Sequence, residues 1–300
     1  MDGGMPHGLT VLGPAPFTVL GASGYIGGHM VRYLRAAGHA VYAPRRGAPG
    51  ALDQPLGHVI FAIGLTADFR NRTLETMDAH VTALADVLRC GHFESLTYLS
   101  STRVYAGLPK GCENAALVTN PSDPNDLYNL SKLAGEALCL AQPSGRVRVA
   151  RLSNVFGPDM DHGPLPSANF LSALMREAVE TGCIRLRTAR GSSKDYIAID
   201  DVARALHRIA LDGADRLYNV ASGHNTASGD IAAALARLTG CRVEVAPEAL
   251  AVTYPPIDTR RIAALFPPES PWAPACVLDR LPEILSARRP APAAIAGVVA

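Results

Sequence analysis

At 300 residues the chain is too long for one small core and suits a large domain, or a cofactor domain with a smaller partner. Charged residues make up 18% and the net charge is +1, which leaves no basic stripe for nucleic acid and no acidic tail; any anionic ligand must be held locally. Cys90, Cys112, Cys139, Cys183, Cys241 and Cys276 are scattered, with no Cys-x-x-Cys pair and no His/Cys cluster at metal-ligand spacing, so they read as reduced packing residues and no metal is expected. The N-terminus has Asp2 and no Lys or Arg before its first apolar segment, unlike a secretory signal, and no apolar run suits a bilayer. A soluble, cytoplasmic protein without nucleic-acid or membrane partners is the expectation.

In chain order, the apolar strand Phe17-Thr18-Val19-Leu20 runs into Gly21-Ala22-Ser23-Gly24-Tyr25-Ile26-Gly27, then a helical stretch to residue 37, a stop at Gly38 and a second strand over 40–43. A strand over 58–63, a helix over 73–90 and a strand over 96–99 continue the alternation. The fold class is therefore α/β, a doubly wound parallel sheet of Rossmann type. In the 73–90 helix, Leu74, Met77, Val81, Leu84 and Leu88 form one stripe that predicts a core-facing side.

A further helix runs from Tyr128 to about residue 140, with a strand over 147–152. Proline and glycine become dense over 157–166, which suggests a crossing into a smaller, mostly C-terminal substrate lobe. Helices over 170–180 and from Val202 follow. The division expected is a dinucleotide-binding domain over 14–156, rejoined by 195–223, and a substrate lobe over 157–194 and 224–286. The Ala/Pro-rich tail 287–300 has no periodicity and is expected to be loosely ordered.

Glycines 21, 24 and 27 between a strand and a helix fit a dinucleotide loop, in which the helix N-terminus faces a pyrophosphate. Ser23, Tyr25 and Ile26 belong to the same loop, and Ile63 and Gly64, after a neighbouring strand, are assigned to the same cofactor. Tyr128 and Lys132 share one helix face, so the ammonium can lie beside the phenol and pull its pKa down from about 10. That pairing points to carbonyl and alcohol chemistry.

The Gly-x-x-Gly-x-x-Gly loop, Tyr128-x-x-x-Lys132, Leu99-Ser100-Ser101-Thr102-Arg103-Val104-Tyr105, Arg151-Leu152-Ser153-Asn154-Val155-Phe156-Gly157-Pro158, Lys194-Asp195-Tyr196-Ile197 and Tyr218-Asn219-Val220-Ala221-Ser222-Gly223 occur in order. Together they resemble the extended short-chain dehydrogenase/reductase family, the NAD-dependent epimerase/dehydratase group. The resemblance implies that Tyr128 exchanges a proton with the substrate while a nicotinamide takes or gives a hydride, that Lys132 also holds the nicotinamide ribose, and that Ser101 hydrogen-bonds the reacting oxygen. It further implies a nucleotide-activated sugar met by Thr102, Arg103, Asn154, Lys194 and Arg260, and a homodimer through the helices over 73–90 and 126–140. Lys194 stands where the family usually has arginine, and so lacks the bidentate fork.

Family members that eliminate water or decarboxylate carry acidic residues in the two positions after the catalytic Ser/Thr; here these are Thr102 and Arg103. A branch that epimerises and reduces has cysteine at the Arg103 position. What remains is epimerisation through a transient ketone or reduction of a ketone on a nucleotide sugar. Reduction of a non-sugar ketone with NADPH, dehydration and a non-catalytic dinucleotide sensor are the alternatives.

For the cofactor, the second strand ends in Ala43-Pro44-Arg45-Arg46 rather than in an acid, so Arg45 and Arg46 favour a 2′-phosphate and NADP, with NAD left open. Only residues 47–57 precede the next strand, so a third strand and its helix look abbreviated and the adenine side more open than in relatives. His80, His162 and His224 read as surface or satisfied buried histidines, and Asp200-Asp201 as a helix cap and dipole partner.

Overall fold

The computed structural model describes residues 15–66, 68–158 and 170–286. His162, most of the proline- and glycine-dense crossing and the tail 287–300 lie outside the described residues.

Strand β1 (Pro16–Leu20) is followed by helix α1 (Tyr25–Ala36) and strand β2 (Ala40–Tyr42). Helix α1 forms because Met30, Val31 and Leu34 recur on one face with Gly27 and Gly28, and all five are buried. Residues 43–57 then form turns without strand or helix, matching the abbreviated segment expected here. Next come strand β3 (His58–Phe61), helices α2 (Thr73–Met77) and α3 (Ala83–Cys90), and strand β4 (Ser95–Ser101).

Between α2 and α3 the chain makes a π turn over Asp78–Thr82. This wider turn breaks the 3.6-residue period, so the uniform stripe expected over 73–90 does not hold. Leu84 of that stripe is buried, but so are Thr76, His80 and Val87, and Leu74 is 76% exposed.

Helix α4 (Leu127–Leu140), strand β5 (Val147–Leu152), strand β6 (Asn154–Phe156), helix α5 (Phe170–Arg176), and strands β7 (Cys183–Thr188) and β8 (Ser193–Ala198) follow. The chain continues through helix α6 (Ile199–Asp212), strands β9 (Leu217–Val220) and β10 (Asn225–Ala227), helix α7 (Ser228–Thr239), strand β11 (Arg242–Leu250), and helices α8 (Arg260–Ala263) and α9 (Val277–Ser286).

The main sheet is parallel, in the order β2-β1-β3-β4-β5-β9. Along β3 the two-residue period sends Val59 and Phe61 into one core, with α3 and α4, and Ile60 into the other, with α1 and α6. Strand order reverses between β1 and β3, and the crevice at their carboxyl ends is where this architecture binds ligands.

A further core joins Leu174 and Met175 of α5, Ile184 and Leu186 of β7, Ile231 and Leu235 of α7, and Leu281 and Ile284 of α9. Its strands form two small sheets, β10-β8-β6 and β11-β7. Asp195 of β8 pairs with Asn225 of β10 in the first of these small sheets, and α6 after it packs on the main sheet through Val202, Leu206 and Ile209. No helix among the described residues is long and apolar enough to cross a membrane.

Candidate active site

The glycine loop is shaped by contacts that exclude side chains. Gly21 has φ +90, and a Cβ there would lie 2.7 Å from the Ala62 carbonyl carbon. A Cβ on Gly27 would run into the Gly21 carbonyl, so α1 can sit tight against β1 only with glycine at this position. Gly24, the residue before α1, donates to the Gly21 oxygen (3.0 Å), no side chain caps α1, and no acid lies in its first turn. Its first backbone N–H groups are thereby available to an anion, which fits the pyrophosphate of a dinucleotide. Ser23, Tyr25 and Ile26 sit on this turn, while Ile63 and Gly64 lie across the crevice, with the Gly64 backbone beside His80 Nε2 and Lys132 Nζ. Arg45 and Arg46 follow β2 closely, are exposed, and make no ion pair with any described residue.

The candidate reactive residues come from two elements. Ser101 ends β4 and accepts a hydrogen bond from the Arg103 N–H (3.2 Å), while Tyr128 and Lys132 lie on one face of α4. Ser101 faces the Tyr128 hydroxyl closely enough to draw its pKa down. Lys132 Nζ donates to the Leu99 carbonyl (2.8 Å). With Thr102, Arg103, Ser153, Asn154, Lys194, Asp195 and Tyr254, Ser101 and Tyr128 line a cavity of about 190 Å³.

The electrostatics correct one expectation. Lys132 Nζ is 6.0 Å from the Tyr128 ring centroid and is held by Leu99; burial holds the Tyr128 phenol above its ordinary value. The groups that oppose that rise are Ser101, by its hydrogen bond, and Arg103, by its charge. Lys132 itself is pushed down to about 7 by burial, with Glu136 acting in the other direction.

Among the substrate candidates, Thr102, Arg103, Asn154 and Lys194 reach the cavity. Lys194 Nζ lies between the Phe170 and Tyr254 rings, 5.4 and 5.6 Å from their centroids. Asn154 also donates to the Asp195 carbonyl (2.8 Å). Arg260 does not line the cavity: its guanidinium, 85% exposed, is folded back on Asp258 two residues earlier (2.6 Å), a local pairing that spends its fork. Asp200 and Asp201 occupy the first turn of α6 but neither caps it; they pair instead with His29 (3.0 Å) and Arg204 (3.2 Å).

Of the supporting residues, His80 is a satisfied buried histidine, one of the two readings the sequence offered, whereas Glu136 and Tyr254 went unnoticed. His80 is fully buried, with Nε2 accepting from the Leu65 N–H (3.1 Å) and Nδ1 at 2.8 Å from Ser131 Oγ. Glu136 and Arg151 form a buried bidentate pair (2.9 and 2.5 Å), and Arg151 also donates to the Tyr105 hydroxyl (2.7 Å). Glu136 was findable, since its spacing from Tyr128 and Lys132 keeps it on one helix face. Tyr254 has no such regularity.

A glycine-rich βα turn at the switch point, with a Tyr and a Lys on the adjoining helix, defines a dinucleotide-dependent enzyme of the short-chain dehydrogenase type. The sequence profile of the NAD dependent epimerase/dehydratase family matches residues 17–221. The chain is 30% identical over 251 residues to GDP-6-deoxy-D-mannose reductase of Pseudomonas aeruginosa, spanning 76% of this chain and 81% of that protein. Two solved structures share the fold. RMD from Pseudomonas aeruginosa complexed with NADPH has a TM-score of 0.71 at 22% identity, covering 91% of this chain and 98% of that one. MoeE5 in complex with UDP-glucose and NAD has a TM-score of 0.71 at 21% identity, covering 91% and 97%. The chain belongs to the NAD-dependent epimerase/dehydratase family and is an extended short-chain dehydrogenase/reductase enzyme.

Proposed function

We propose that the protein is an NAD(P)-dependent epimerase or ketoreductase of a nucleotide-activated sugar. The observation that carries this reading is that the buried Tyr128 and Ser101 line one cavity, beside a Lys132 whose Nζ borders the backbone of Gly64. A bound nicotinamide supplies or accepts the hydride. Tyr128 moves a proton to or from the substrate oxygen at its phenol, and Ser101 holds that oxygen. Lys132, fixed by Leu99, offers its remaining protons toward the cofactor ribose.

Asn154 and Lys194 are the residues for the substrate diphosphate, and Thr102 and Arg103 meet the sugar. GDP-6-deoxy-D-mannose reductase and the UDP-glucose complex of MoeE5 support a nucleoside diphosphate sugar as the ligand class. Arg45 and Arg46, exposed and without a carboxylate partner among the described residues, favour NADP over NAD. Dimerisation through α2, α3 and α4 is part of the reading, and the exposed Leu74 on α2 suits it.

Reduction of a non-sugar ketone is the second reading, favoured by the loss of Arg260 from the pocket. Thermal shifts with NADPH, NADH and a panel of nucleotide sugars separate the two. Stabilisation by nucleotide sugars supports the first; stabilisation by NADPH alone removes it.

A further inference from the structure

The charge laid against the Tyr128 ring is a guanidinium. Arg103, in the turn that follows β4, sits over the rings of Tyr128 and Phe69, 5.3 and 5.2 Å from their centroids, and the two rings lie 5.7 Å apart. It is fixed from a second side, donating to the Asn125 carbonyl (3.2 Å), while the Asn125 side chain accepts from Arg70 Nε (2.8 Å). Tyr128 is buried and Arg103 lines the same cavity, so the guanidinium acts on the phenol through a medium less screening than water.

The other charges around the ring are weaker claimants. Lys132 Nζ, on α4, is 6.0 Å from the centroid and gives a proton to the Leu99 carbonyl (2.8 Å). Burial pushes Lys132 down to about 7, so near neutral pH its charge comes and goes, whereas a guanidinium keeps its own. His80, on the π turn, meets the ring edge at 5.5 Å, but its Nε2 accepts from the Leu65 N–H, which only a neutral imidazole does. Lys194 and Asp195 of β8 line the cavity with opposite charges, and the Asp195 carboxylate is turned to the N–H groups of Ser222 (3.0 Å) and Gly223 (2.7 Å). Asp123 and Asp126, on either side of Asn125, accept from N–H groups of Asn120, Asn125 and Asn129.

We propose that Arg103, rather than Lys132, is the main cation that stabilises the phenolate of Tyr128, and so sets the pH range in which this residue exchanges its proton. The phenolate left when the phenol gives its proton to a substrate oxygen, or the one that takes a proton from a substrate hydroxyl, lies beneath a permanent positive charge. Lys132 is left to the cofactor. This rests on the acid–base role of Tyr128 proposed above and is independent of which sugar or ketone is bound.

The full chain, labelled with carbon-13 at the tyrosine ζ carbon and without added ligand, tests it by NMR between about pH 7 and 11; the Tyr128 signal is the one missing from Tyr128→Phe. Arg103→Met and Arg103→Gln should each raise the titration midpoint by about one pH unit or more, and Arg103→Lys and Lys132→Met by less. A midpoint unmoved by the loss of the guanidinium overturns the proposal. A larger rise in Lys132→Met, or a wild-type phenol that stays protonated throughout, overturns it as well. The nucleotide-sugar reading stands apart from all of these results, because the thermal shifts decide it, and the proton-transfer role of Tyr128 is decided by turnover in Tyr128→Phe.

Discussion

His80 Nδ1 lies 2.8 Å from Ser131 Oγ, and this contact ties the π turn between α2 and α3 to the helix that carries Tyr128 and Lys132. Because Nε2 accepts from the Leu65 N–H, the neutral ring carries its proton on Nδ1 and donates it to Ser131. Ser131 in turn donates to the Tyr128 carbonyl (2.8 Å). A directed chain of hydrogen bonds therefore runs from Leu65, in the loop after β3, to the backbone of Tyr128.

Replacing His80 by Leu breaks that chain and leaves buried polar groups unpaired, at a cost of about 1–3 kcal/mol for each. The expected result is a lower thermal midpoint together with weaker cofactor binding. His80→Gln, which can still donate and accept, should recover part of both. Titration of NADPH and NADH by fluorescence checks this; wild-type affinity in His80→Leu would rule out the tether.

Burial also sets a pH dependence. His80 is held down to about 3 and His207 to about 4, both below their ordinary 6.5, chiefly by loss of solvent. Between those values and about 6.5 the unfolded chain binds more protons than the folded one, so acid favours unfolding. The penalty is absent above about pH 6.5 and grows as pH falls toward 4. Thermal midpoints measured at about pH 7.5 and pH 5 should fall more in wild type than in His80→Gln. An equal fall in both would contradict it.

The Glu136–Arg151 pair is nearly solvent-free, so removing one partner strands a buried charge. Glu136→Leu or Arg151→Met alone should cost about 3–5 kcal/mol in urea denaturation. The double variant should cost much less than the sum of the two. Additive losses would show that the pair is not coupled.

Arg45 and Arg46 make a separate prediction about the cofactor. With both replaced by Ser, NADPH affinity should drop by about tenfold or more while NADH affinity changes little, since only the former has a 2′-phosphate to lose. An equal change for the two cofactors would remove these arginines from the adenosine site.

Much of this arrangement was legible in the chain because it rests on local rules. The β1–loop–α1 unit follows from an apolar run meeting glycines at 21, 24 and 27, and the position of Tyr128 and Lys132 on one face follows from helical spacing. The short span between Tyr42 and His58 likewise showed that a third strand and its helix are abbreviated here. What could not be read depends on contacts distant in sequence. Helical periodicity alone cannot anticipate the π turn at Asp78–Thr82, which turned Leu74 outward and His80 inward. Spacing put Lys132 near Tyr128 but could not show that Leu99 holds the ammonium or that Arg103 is nearer the ring. Arg260 looked free for a phosphate only until Asp258 was seen to hold it.

The most direct test is to measure turnover of a nucleotide sugar and the Kd for cofactor side by side in Tyr128→Phe. Loss of the phenol hydroxyl should lower kcat by about a hundredfold or more, the scale of lost acid–base catalysis, with the cofactor Kd within about threefold of wild type. A variant that turns over at the wild-type rate would contradict the role of Tyr128 as the proton-transferring group.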